Sequence, residues 1–281
     1  MSGFPTIATT EELLRFYAEA GYDEAMEEQP VDRFAEAQAA APQRAATPTH
    51  PAAAERRPTP AVPSGAAATI PAAAVPDGEQ AQRARALARQ ANTLEELREI
   101  VAAFDGCNLK FTAKSTVFAD GMPGADLMLV GEAPGSEEDR AGLPFVGRSG
   151  QLLDRILAAI GRERATGAYI ANVVPWRPPG NRDPSPLETE ICRPFIERQI
   201  ELAAPKVIVT LGNPSTKLLL KTQTGIMRMR GNWQTFVSPS GVQIPAMPTL
   251  HPAYLLRNPA HKKLAWRDFL EVKAKLASLQ G

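Results

Sequence analysis

The sequence is poor in cysteine and lacks any long apolar run. Cys107 and Cys192 are its two cysteines in 281 residues, too few for a disulfide scaffold and in keeping with a reducing, cytoplasmic setting. No apolar stretch reaches the roughly 18 residues that a membrane helix needs. The first residues do not follow the charged-then-apolar order of a secretion signal, so no membrane partner is expected. Neither sign of charge is in excess, with 31 basic and 31 acidic side chains. A phosphate-loop lysine motif and a G-x-S-x-G elbow are both absent, which weakens the case for a nucleotide-binding enzyme or a serine hydrolase.

The charge that is present is unevenly spread. Residues 1–90 hold 8 arginines and 12 acids, the remainder 23 basic and 19 acidic residues, so the balance moves from −4 to +4. The second value is compatible with nucleic-acid contact without requiring it. Residues 9–20 read as a short amphipathic helix, with Thr9 and Glu12 at capping-box spacing and Gly21 as a stop. Such a helix is marginal alone, so it packs either on its own domain or on a protein partner. From about Ala37 to Pro76, Ala and Pro dominate without a period, which predicts a disordered linker containing a solvent-exposed His50. The expected organisation is therefore a helical segment (1–36), a linker (37–79) and an α/β domain (80–281). Within the last, Arg83, Arg85 and Arg89 either form a solvated helical face or touch DNA backbone.

Order is expected from Thr93, whose spacing to Glu96 again suits a capping box. Apolar runs at 126–130, 168–174 and 206–212 read as buried parallel strands. Helical stretches at 149–160, 185–203 and 214–221 separate and follow them. Segments 232–237 and 242–247 read as a hairpin, and 261–279 as a closing helix. This alternation predicts a three-layer α/β/α sandwich around a central, mainly parallel four-stranded sheet. A monomer is expected.

The first strand runs into Gly131-Glu132-Ala133-Pro134-Gly135 and on through Glu137-Glu138-Asp139 to the stretch from Gly142 to Gly150. Connecting loops usually span about 2–6 residues. This longer one carries glycines, carboxylates and Phe145 at a strand's carboxyl end, where open α/β sheets bind ligands. Ser149 is a plausible cap for the following helix. The acidic run reads as a solvated face. Asn172, the turn at 178–182, Gly212-Asn213-Pro214 and the segment from Leu250 to Arg257 fall at or after other strand ends, so all can share one cleft.

Together these segments resemble the uracil-DNA glycosylase superfamily, most closely its family-4 type. Gly131–Gly135 and Gly142–Gly150 resemble the first motif, Asn172-Val173-Val174 the uracil-reading strand end, and His251-Pro252-Ala253-Tyr254-Leu255-Leu256-Arg257 the second motif. The resemblance implies a monofunctional glycosylase of base-excision repair acting on uracil-containing DNA. A DNA-damage binding protein with weak or no turnover is the alternative. Gly131, Ala133, Phe145 and Asn172 would bind uracil, Phe145 by stacking and Asn172 by its amide. Phe145 could instead be core, and Asn172 a turn cap. His251, otherwise a turn residue, would donate to uracil O2 as the base departs. Glu132 would orient or deprotonate water, or stabilise the cationic sugar electrostatically; it could also satisfy its own loop's amides. Ser149, Asn181, Arg182 and Arg257 would meet DNA, and Leu255 or Leu256 would fill the gap left by the base.

The chain departs from that family twice. The four iron–sulfur cysteine positions read Phe104, Cys107, Trp176 and Cys192. A four-iron cluster takes four thiolates, so no cofactor is expected. The two aromatics are expected to fill the vacated volume, leaving Cys107 and Cys192 as adjacent reduced thiols. One branch of the superfamily traps the cleaved sugar through a histidine between the Asn strand and the next helix. Residues 175–183 contain none, which predicts ordinary turnover.

Overall fold

The computed structural model describes residues 77–279. All of these residues belong to one compact unit within 70–281. The amphipathic segment 9–20, His50 and the linker up to residue 76 lie outside the described residues.

Two helices open the described chain, α1 (Asp77–Gln90) and α2 (Leu94–Ala103). Helix α1 begins three residues before the expected domain boundary and buries Ala84 and Ala88. Its Arg83 pairs with Asp105 at 2.6 Å, both about half exposed. The capping box before α2 is shifted by one residue. Thr93 Oγ1 accepts from Glu96 N at 3.1 Å, but the Glu96 carboxylate reaches back to Asn92 N at 2.6 Å. The Thr93 cap contributes about 1 kcal/mol.

The elements then run α3 (Leu109–Thr112), β1 (Asp120–Gly121), β2 (Leu127–Gly131), α4 (Ser136–Ala141), α5 (Arg148–Ala159), α6 (Arg164–Gly167) and β3 (Tyr169–Asn172). After a 3₁₀ turn at Pro179–Asn181 come α7 (Pro186–Ala203), β4 (Val207–Leu211), α8 (Asn213–Leu219) and α9 (Ile226–Met229). Strands β5 (Gln234–Val237) and β6 (Gln243–Thr249) form the hairpin, followed by α10 (Pro252–Arg257) and α11 (Lys262–Ser278). Gly147, not Ser149, caps α5; Ser149 sits inside its first turn.

The sheet has six strands in the order β1-β3-β2-β4-β6-β5. The expected four-stranded parallel core is its centre, β3-β2-β4-β6. Antiparallel β1 and β5 extend it at the edges. Strand β5 is the first arm of the expected hairpin, whereas the two residues of β1 are too few to leave a periodic signal and were not foreseen.

Strand alternation divides the core between the two faces. Met128, Val130, Tyr169, Ala171 and Ile208 pack with α1, α2 and α7. Leu127, Leu129, Ile170, Val207 and Val209 pack with Leu153 and Leu157 of α5 and Phe269 and Val272 of α11. Both faces are thus covered, as parallel sheets require. The register pairs Gly131 with Asn172, Val130 with Thr210 and Leu211 with Thr249. All four parallel strands therefore end at one level.

Candidate active site

That common edge opens into a cleft of about 530 Å³. Glu132 follows β2, Asn172 ends β3, Asn213 follows β4, and His251 follows β6; all four line the cleft with Phe145. The pairing continues past the strands, with Val173 N on Gly131 O at 3.0 Å, Val174 N on Glu132 O at 2.9 Å and Gly212 N on Thr249 O at 2.9 Å. Backbone bonding thus fixes the roots of the lining side chains.

Asn172 is buried, and its side-chain Oδ1 has no hydrogen-bond partner in the protein. A buried polar atom left unpaired is costly. Here it belongs to a side chain that lines the cleft. Gly131 does not itself line the cleft. It supplies clearance beneath it, because a Cβ there would collide with Asn172 Oδ1 and the Phe145 ring.

His251 is the N-cap of α10, with Pro252 at the first helical position, where its missing N–H is no loss. Its Nδ1 accepts from Ala253 N at 3.1 Å. The neutral ring therefore carries its proton on Nε2, as a donor. Burial and then the positive charge of Arg257 push the His251 pKa down to about 4, so the ring is neutral at physiological pH. The Phe145 and His251 ring centroids lie 5.5 Å apart. Glu132 shifts the other way. Burial, reinforced by the Asp183 carboxylate, raises its pKa to about 7. A carboxylate poised near neutrality beside a neutral imidazole donor can manage a proton and a developing anion.

Of the acidic run only Glu137 is exposed, so it is not a solvated face as a whole. Glu138 and Asp139 are buried. Glu138 accepts from Gly135 N at 3.1 Å, Val146 N at 3.1 Å and Gly147 N at 3.0 Å, tying the two ends of the long loop together. Asp139 accepts from Lys114 N at 2.8 Å and Ser115 N at 3.0 Å.

Of the other expected residues, Ala133, Ser149, Asn181, Arg182 and Arg257 line the cleft, whereas Leu255 and Leu256 do not. Leu255 is buried against Leu250 and Ala265, and Leu256 is half-buried. Arg182 is already held by Glu188 through two bonds of 2.8 and 2.6 Å. Sequence reasoning missed Asp183, Pro184, Ile226 and Met227, which also line the cleft. Met227 is 52% exposed, an apolar side chain at the rim. Asp183 adjoins a turn already singled out. The four-residue α9 is too short to show a period.

The family-4 cofactor does not fit the residues present. Phe104 and Trp176 are fully buried with centroids 6.5 Å apart, and Phe195 meets Phe104 edge-on at 5.0 Å. Trp176 Nε1 donates to Thr116 Oγ1 at 3.0 Å. Cys107 and Cys192 are buried free thiols, and the interaction with Cys107 together with burial holds the Cys192 thiol well above its usual pKa. Two thiols beside two packed rings cannot supply four thiolates. Among the described residues, no group of three or more His, Cys, Asp or Glu side chains could hold a metal ion.

A parallel α/β/α fold with a carboxylate, an amide, an imidazole and an aromatic ring at one strand edge has the outline of an enzyme that handles a flat polar ligand. The family model described as the uracil DNA glycosylase superfamily matches residues 118–270, and the chain belongs to that superfamily. Within it the chain is similar to type-4 enzymes. It is 39% identical over 187 residues to the type-4 uracil-DNA glycosylase of Sulfurisphaera tokodaii, covering 65% of this chain and 84% of the relative. It is also 39% identical over 189 residues to that of Thermotoga maritima, covering 65% of this chain and 96% of the relative.

Proposed function

We propose that this chain is a uracil-DNA glycosylase acting in base-excision repair, working without an iron–sulfur cluster. The observation that carries the reading is the unpaired Asn172 Oδ1, buried near the Phe145 ring in a cleft shared with a histidine whose tautomer is fixed. A flipped uracil stacks on Phe145, gives its N3–H to Asn172 Oδ1 and accepts at O4 from the Asn172 amide N–H. Thymine and uracil share those edges while cytosine reverses them, so this pairing excludes cytosine, and loop shape selects between uracil and thymine.

Cleavage breaks the bond between C1′ and N1, and the electron pair leaves with the base. Negative charge builds on uracil O2, where His251 Nε2–H donates. Being neutral, His251 stabilises that charge without first having to lose a proton. Positive charge builds on the sugar, which ionised Glu132 favours. Water then adds to C1′, and its proton passes to Glu132 or to solvent.

DNA is held by contacts that carry no sequence information. Ser149 in the first turn of α5, Asn181, Arg182 and Arg257 at the rim take phosphates. Leu256, rather than the buried Leu255, fills the vacated stack.

The test uses labelled oligonucleotides containing one uracil, incubated with the protein and then heated in alkali to cut abasic sites. Strand cleavage that is lost in Asn172→Ala and His251→Ala supports the reading. Binding without cleavage by the unmodified chain refutes it in favour of a damage-binding protein.

A further inference from the structure

Phe145 adopts a backbone conformation that aromatic residues avoid. Its φ is +54°, in the left-handed region where a Cβ is crowded. Something outside the residue must hold it there. One side of its carbonyl is set by α5, where Gly150 lies so close that any Cβ would collide with Phe145 O. The other side is set by Arg164, the first residue of α6. Arg164 Nη2 donates to Phe145 O at 2.6 Å and Nη1 to Pro144 O at 3.0 Å.

The guanidinium is itself fixed. Nε donates to Asp154 Oδ1 of α5 at 2.8 Å, and Nη1 pairs with Asp120 Oδ2 of β1 at 2.9 Å. The Arg164 side chain is 19% exposed and does not line the cleft. A planar guanidinium fork can span two consecutive carbonyls and two carboxylates at once; a lysine ammonium cannot.

We infer that Arg164 is a positioning residue, which sets the pose of the Phe145 ring over the base from the far side of the loop without touching substrate. This rests on the glycosylase reading above. It gives a role to a side chain outside the cleft that the conversion of uracil does not otherwise require.

The test is a double-mutant cycle on kcat/KM with uracil-containing DNA, combined with inhibition by free uracil. Arg164→Lys is expected to lower kcat/KM by about 10- to 100-fold, the scale of a ring displaced by an ångström or less, and to weaken free-uracil inhibition. In a Phe145→Ala background the same substitution is expected to change neither value, because its route of action is gone. Equal losses in both backgrounds would mean a general structural role and would overturn the proposal, as would full activity of Arg164→Lys. Arg164→Gln, which keeps one amide donor, enters the same cycle with the same reading if the Lys variant does not fold. A crystal structure of whichever variant folds separates this proposal from the functional reading. If the unmodified chain releases no uracil, the functional reading fails. A Phe145 that then keeps its φ and its 5.5 Å spacing to His251 overturns the positioning role, and a displaced ring sustains it.

Discussion

Asn172 Oδ1 and the Cα of Gly131 lie so close that no side chain fits at position 131. Strand pairing forces the approach, since Gly131 and Asn172 are register partners at the ends of β2 and β3. Gly131→Ala is therefore expected to displace either the Asn172 amide or the Phe145 ring. A shift of about 1 Å at these groups lowers kcat/KM by roughly 100-fold. Overpacking of this kind costs about 1–3 kcal/mol of stability. Steady-state kinetics and denaturant unfolding on one preparation check both. Wild-type kinetics in the variant would show that the amide and ring are not held where the register places them.

Glu132 links activity to pH. With its pKa raised to about 7 and the ionised form required, kcat/KM should rise with pH through an apparent pKa near 7. His251, at about 4, stays neutral across that range and adds no second limb. Asp183→Asn removes the like charge beside Glu132, so the limb should move to lower pH. A limb that stays in place in that variant would sever the link between the two carboxylates.

The same shift has a consequence for stability. A carboxyl whose folded pKa lies above its unfolded value binds its proton more tightly in the folded state. Its contribution is greatest at acidic pH and is lost as pH rises from about 4.5 to 7. Because the carboxyl is partly exposed and water screens it, the loss above pH 7 stays well below the roughly 3.4 kcal/mol that 1.36 kcal/mol per unit would give. Glu132→Gln should therefore melt higher than the unmodified chain at pH 8, with the difference vanishing near pH 4, while its turnover falls. Melting curves at the two pH values decide it.

Glu138 was read from sequence as part of a charged, solvated run, and its burial shows where such reading stops. Its partners are the amides of Gly135, Val146 and Gly147, and a charge run carries no record of amides eight or nine residues away. The four parallel strands were legible because continuous apolar runs of that length have few other destinations. The carboxyl-end location of Glu132, Asn172 and His251 followed from that topology alone. Leu255 was legible in principle. With Pro252 opening α10, Leu255 falls three residues on and shares its inward face, and both are buried. Phe145's left-handed backbone and its anchoring by Arg164 were not legible, since nothing in local composition predicts a carbonyl held by a side chain 19 residues away. Glu138→Ala leaves three amides to find new partners, two of them in the Phe145 turn. It is expected to cost roughly 2–4 kcal/mol and to lower kcat/KM as well, measured by denaturant unfolding and by uracil release.

Trp176 stands where the family resemblance would place a cluster ligand, and it now does structural work. Its ring is fully buried against Phe104, and its N–H is satisfied by Thr116. Trp176→Ala should cost about 3–5 kcal/mol, the usual range for emptying so large a site. Phe104→Ala should cost a similar amount, and the two losses should not add, because the rings share one cavity. Denaturant unfolding of the two single variants and the double variant gives the coupling. Purified protein should also lack the broad visible absorption of an iron–sulfur centre, and chelators should leave its unfolding midpoint unchanged. Stoichiometric iron, or a midpoint that falls on chelation, would show that Cys107 and Cys192 recruit ligands from beyond this packed pair of rings.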